Sequence, residues 1–85
     1  MNEPDVRRRR LLYRATHRGT HETDLLVGGF VASRLAALTG AEIEVLEAIV
    51  ELPDVDLADW LTGRLAIPPE HDSPMLRHMR EAAGQ

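Results

Sequence analysis

Apolar positions along this chain recur at intervals of three and four residues, and no window alternates apolar with polar for the length of a strand. The pattern predicts an all-α fold, and turn residues divide it into about five short helices. The first runs from near Asp5 to His17, with Val6, Leu11, Leu12 and Tyr13 supplying apolar contacts. Gly19 lies just past its end, where a glycine can take the left-handed conformation that closes a last turn. A second helix restarts near Thr20, a candidate N-cap, and continues to about Leu38 with Leu26, Phe30, Val31, Leu35 and Leu38 near one face. Gly28 and Gly29 inside it each cost roughly 1 kcal/mol against alanine. They serve either a close helix contact or a kink.

The third helix has the clearest start. Thr39-Gly40-Ala41-Glu42 is a capping box, followed by Ile43, Leu46, Ile49 and Val50 as a buried stripe, and Pro53 stops it. Asp54 or Asp56 caps a short fourth helix carrying Leu57, Trp60 and Leu61, and Gly63 ends it. After Pro68-Pro69, Asp72 or Ser73 with Pro74 at the first helical position opens a fifth helix, docked by Met75, Leu76 and Met79. There is no internal repeat and no low-complexity tract.

Length and composition narrow the picture. A chain of 85 residues fits one compact domain over 1–85 with a single thin core, and at this size only about 60–65% of the unfolded surface is buried. Apolar residues at 44% and charged residues at 28% describe an ordinary globular protein. The longest apolar stretch, Leu25 to Ala32, contains two glycines and falls far short of the ~20 residues of a membrane-spanning helix. No membrane insertion is expected. The paired arginines near the start are not followed by an apolar signal core, and Met1-Asn2-Glu3-Pro4-Asp5 carries acid where a mitochondrial transit peptide would avoid it. The expectation is a cytoplasmic bacterial protein. All ten basic residues are arginine; physical chemistry does not demand so complete a bias, which reads as codon preference in a GC-rich genome.

Charge is unevenly shared. Residues 1–21 hold six arginines and two acids, +4, and residues 22–85 hold four arginines and twelve acids, −8, which together make the net −4. A basic first helix on an acidic body is a directional electrostatic face. The run Arg7-Arg8-Arg9-Arg10 could grip phosphate, but four successive helical residues point around the cylinder, and the chain as a whole is acidic with a pI near 5.5. No nucleic acid is expected as a partner; a solubilising helix start, with one or two arginines at an interface, is the plainer reading.

Catalytic chemistry finds little support. There is no cysteine, Ser33 and Ser73 lack the context of a nucleophile, and Gly28-Gly29 lacks the spacing of a phosphate loop. His17 and His21 are four apart, as zinc ligands on one helix would be, but Gly19 separates them and no third ligand follows. They read as surface histidines, and no resident metal or cofactor is expected.

The segment that stands out is Arg18-Gly19-Thr20-His21-Glu22. A structural account is available. Arg18 at the end of one helix and Glu22 in the first turn of the next each complement a helix dipole around a glycine turn, and an exposed pair there contributes about 0–1 kcal/mol. In its flanks the segment says more. Arg10-Leu11-Leu12-Tyr13-Arg14, then Arg18-Gly19-x-x-Glu22-x-Asp24, resembles the opening of the SdhE family, the succinate dehydrogenase assembly factors 2, whose hallmark is an Arg-Gly-x-x-Glu motif. The likeness continues through an acidic third helix and Asp54-x-Asp56-Leu57-x-x-Trp60-Leu61 before a glycine, over nearly the whole chain.

The resemblance implies a five-helix bundle that binds the flavoprotein subunit of succinate dehydrogenase, and in some bacteria that of fumarate reductase. It implies promotion of the bond between a client histidine and FAD, with FAD carried by the client and no catalytic residue in this chain. Carried over, Arg18, Gly19 and Glu22 are the motif residues that meet the partner, with Arg14, His17, His21 and Asp24 at the rim. Gly19 would allow close approach of the client backbone. Trp60 has a competing place in the core. Two other classes stay open beside this reading: a regulatory module, antitoxin-like or nucleic-acid-binding, using the basic first helix, and a small enzyme.

Overall fold

In a computed structural model of the protein, which describes residues 3–84, five helices pack around one core, and no strand occurs among the described residues. Of the acidic opening segment, Met1 and Asn2 lie outside the described residues. Helix α1 spans Glu3–Thr16. Helix α2 covers 21–37 and is composite: an α-helical start at His21–Thr23, a π turn at Asp24–Gly28, an α-helical body at Gly29–Arg34 and a 3-10 end at Leu35–Ala37. Helices α3 (Gly40–Ile49), α4 (Asp54–Leu61) and α5 (Pro74–Ala82) complete the bundle.

The local start signals act as their chemistry requires. Thr20 caps α2, its Oγ1 accepting the Thr23 N–H at 3.1 Å. Thr39 and Glu42 form the reciprocal capping box, with the Glu42 N–H donating to Thr39 Oγ1 at 3.1 Å and the Thr39 N–H donating to Glu42 Oε1 at 2.9 Å. Ser73 accepts the Leu76 N–H at 3.2 Å, ahead of Pro74. Gly63 takes φ 78° just beyond α4, a conformation that disfavours any residue with a Cβ. The start of α4 differs from expectation. Its N-cap position is Pro53, with no side-chain cap, and Asp54 is the first helical residue. The Asp54 carboxylate is engaged elsewhere, as described below.

The core runs through Leu11 of α1, Val27 and Val31 of α2, Leu46 of α3, Leu57 and Leu61 of α4 and Leu76 of α5, all essentially inaccessible. Trp60 is buried among them. Ala15 and Val27, absent from the expected stripes, are fully buried, whereas Tyr13, expected as an apolar contact, is 63% exposed. Val27 follows from the π turn, which advances the buried face by one residue relative to a regular helix. Gly28 settles the alternative left open at that pair. A Cβ there would lie 2.8 Å from Thr16 Cγ2 and 2.9 Å from the Ala15 carbonyl, so the glycine lets α1 and α2 touch backbone to side chain. Gly29 meets nothing within 4 Å.

Arginines of the first helix bind that packing to the rest. Arg8 donates to the Leu35 carbonyl at 3.2 Å and to that of Leu38, at the C-terminal end of α2. Arg7 pairs with Glu47 at 2.5 Å and Arg14 pairs with Glu51. The basic helix therefore lies on an acidic stripe of the same molecule.

Candidate functional site

The corner between α1 and α2 brings the motif residues together. Helix α1 ends at Thr16, whose Oγ1 bonds back to the Leu12 carbonyl at 2.7 Å. The chain then turns through His17, Arg18, Gly19 and Thr20. The Arg18 N–H donates to Asp24 Oδ1 at 2.5 Å, so the carboxylate at the start of the π turn closes the corner from the far side.

Arg18 points inward. Its side chain is 8% exposed, and its guanidinium donates to Asp54 Oδ1 at 2.7 Å, to the Leu52 carbonyl at 2.7 Å and to the Val50 carbonyl. Those carbonyls follow α3, where intrahelical partners have run out and a cation is electrostatically favoured. Asp54 Oδ2 accepts the Gly19 N–H at 2.8 Å. One carboxylate thus holds both residues of the Arg-Gly pair. Burial pushes the Asp54 carboxyl up, but the Arg18 guanidinium and the Gly19 N–H outweigh it and hold the group below its ordinary range.

Arg18 and Glu22 do not pair with each other. Glu22, in the first turn of α2, accepts from Arg64 at 2.9 Å, and Arg64 also reaches Asp59 at 3.1 Å. The hydrogen bonds it donates to Glu22 and then Asp59 hold the Arg64 guanidinium still more firmly protonated. This pair is about half exposed on both sides. Nor does Gly19 use the left-handed conformation: among the described glycines with positive φ are Gly63 and Gly84, and not Gly19.

The remaining expected site residues surround this corner. Arg14, His17 and His21 are exposed, and Asp24 is half-buried. The His17 ring stacks on Tyr13 with centroids 3.9 Å apart, and its Nδ1 lies 2.9 Å from the Tyr13 carbonyl. An open groove of about 340 Å³ lies between the corner and the α3–α4 connection, lined by Tyr13, Arg14, His17, Gly19, Glu51 and Pro53 among others. Among the described residues no group of three or more His, Asp or Glu is gathered to hold a metal ion. Asp54 and Arg64 are not among the expected site residues; the spacing of the motif gives no hint of partners from elsewhere in the chain.

Comparison with known proteins places most of the chain in one family. Residues 9–83 match the family described as flavinator of succinate dehydrogenase. The FAD assembly factor SdhE of Acetobacter pasteurianus is 55% identical over 76 residues, covering 89% of this chain and 70% of that protein. The mitochondrial succinate dehydrogenase assembly factor 2 of Dictyostelium discoideum is 29% identical over 77 residues, covering 91% of this chain and 55% of the relative. That of Saccharomyces cerevisiae is 35% identical over 85 residues, covering 94% and 52%. The chain therefore spans about half the length of these mitochondrial relatives. No helix among the described residues is long and apolar enough to cross a membrane.

Proposed function

This chain belongs to the family of succinate dehydrogenase flavinators, and we propose that it is an assembly factor that binds the flavoprotein subunit of succinate dehydrogenase and promotes covalent attachment of FAD to it. The observation that carries the reading is the corner itself: an Arg18-Gly19 turn, tied from inside by Asp54, that displays Arg14, His17, His21 and Glu22 to solvent. The flavoprotein subunit of fumarate reductase is a second client of the same chemistry.

In this reading the chain has no catalytic residue. FAD and the histidine that attacks it belong to the client, which holds the reacting atoms. The factor contributes binding energy to one client conformation. Preference for that conformation by about 1.4 kcal/mol raises its population ratio about tenfold. The charged groups at the corner suit this task. Glu22 can exchange the half-exposed Arg64 for a client cation at little cost, because a surface pair of this kind contributes about 0–1 kcal/mol.

The test is covalent flavin fluorescence on the succinate dehydrogenase flavoprotein, read in gels of host cells lacking this gene. Wild type restores the signal, and Glu22→Ala leaves it several-fold lower although its circular dichroism and melting are nearly unchanged. Full covalent flavin without the gene would remove succinate dehydrogenase as the client.

A further inference from the structure

Three explanations are available for a glycine at position 19, and the structure separates them. The backbone conformation does not require one, since φ lies outside the left-handed region. Close packing of backbone, as at Gly28, is not present either. The atoms that a Cβ at Gly19 would meet within 4 Å belong to one side chain: Asp54 Oδ2 at 2.7 Å and Asp54 Cγ at 3.9 Å. A carboxylate can usually swing away from such a contact, but this one is tied. It accepts Arg18 Nε through one oxygen and the Gly19 N–H through the other, at 2.7 and 2.8 Å. Moving it would break its bond to Arg18 Nε, leaving that guanidinium on the Val50 and Leu52 carbonyls alone, and would leave the Gly19 N–H without its partner.

We infer that Asp54 is the positioning residue of the Arg18-Gly19 corner, and that position 19 is glycine to make room for the Asp54 carboxylate rather than for an approaching partner. The two motif residues then set the shape of the face, and the partner meets Arg14, His17, His21 and Glu22. The first half of this inference stands on the fold alone; the second rests on the proposed binding of the flavoprotein.

The experiment is a double-mutant cycle between Gly19→Ala and Asp54→Ser. A serine Oγ would stand near the place of the present Cγ, 3.9 Å from the new Cβ, which is ordinary contact. In the wild-type background Gly19→Ala lowers the melting temperature of the isolated protein by about 4–8 °C. In the Asp54→Ser background it lowers it no further, and the double variant pulls down the purified flavoprotein subunit of succinate dehydrogenase as well as Asp54→Ser does. Equal temperature losses in both backgrounds would overturn the role of Asp54. A tenfold weaker capture of the flavoprotein on adding Gly19→Ala to Asp54→Ser, with unchanged melting, would show that the partner itself demands the glycine. Failure of the wild-type protein to capture the flavoprotein overturns the binding proposal and leaves the melting cycle to decide on Asp54. A readout that needs no smaller side chain is the Gly19 amide resonance. It moves with the titration of Asp54 as the pH is lowered, and Asp54→Asn abolishes that movement; a pH-insensitive amide in the wild type would contradict the contact.

Discussion

At the scale of single residues, the chemistry of this protein turns on carboxylates that accept more than one donor. Asp54 accepts from Arg18 and Gly19, and its pKa is depressed despite partial burial. A group whose pKa is lower folded than unfolded stabilises the fold above the unfolded value, and that contribution disappears as pH falls through the folded value. The window therefore opens below the ordinary aspartate pKa of about 3.9. Glu42, held down by the Thr39 N–H and hydroxyl, and Glu47, held down by Arg7, lose stabilisation in the same direction. The contribution of Asp54 is isolated by comparison with Asp54→Asn. Urea denaturation should find wild type more stable near neutrality, with the difference shrinking below about pH 4; a difference independent of pH would show that the charge of Asp54 is immaterial.

At the scale of elements, the approach of α1 to α2 depends on Gly28. A Cβ there would collide with the Ala15 carbonyl and with Thr16, backbone atoms and a packed methyl that cannot rotate aside. Gly28→Ala should destabilise the protein by about 1–3 kcal/mol, although alanine favours helix. Gly29→Ala, in open space, should be neutral or stabilising by up to about 1 kcal/mol. Chemical denaturation of the two variants side by side checks both. The contrast between neighbouring glycines also marks where reading the chain reaches its end. Thr20, Thr39, Ser73-Pro74 and Gly63 were legible because a cap or a turn is made by residues within a few positions of each other. Which of Gly28 and Gly29 packs against α1 depends on a π turn, and nothing local announces that turn; it also hid Val27. Likewise the Arg-Gly-x-x-Glu segment could be found by spacing, but the inward aim of Arg18 could not, because its carboxylate lies 36 positions away on another helix.

At the scale of the whole molecule, the basic first helix and the acidic body are two halves of one internal arrangement. Arg7, Arg14 and Arg18 meet Glu47, Glu51 and Asp54 along the length of the contact. Burial separates these pairs in strength. Arg14 is 44% exposed and its partner 64%, so Arg14→Ala should cost less than about 1 kcal/mol. Arg18 is 8% exposed and also serves two carbonyls, so Arg18→Ala should cost about 3 kcal/mol. For a domain whose total stability is about 5–15 kcal/mol, only the second change visibly raises the unfolded fraction. Urea midpoints measured in low and high salt test the ranking. Salt should erode the small contribution of Arg14 and leave that of Arg18 nearly intact.

The π turn at Asp24–Gly28 also affects how related chains are compared. It accommodates one residue more than a regular helical turn while both flanks keep their inward faces. A homologue shorter by one residue between 24 and 28 would simply wind that turn as ordinary helix. Elsewhere in the same helix a single deletion rotates everything beyond it by about 100° and turns the core face outward. An alignment gap at this point is therefore compatible with an unchanged fold, whereas a gap among residues 29–34 would signal a misplaced register or a different packing.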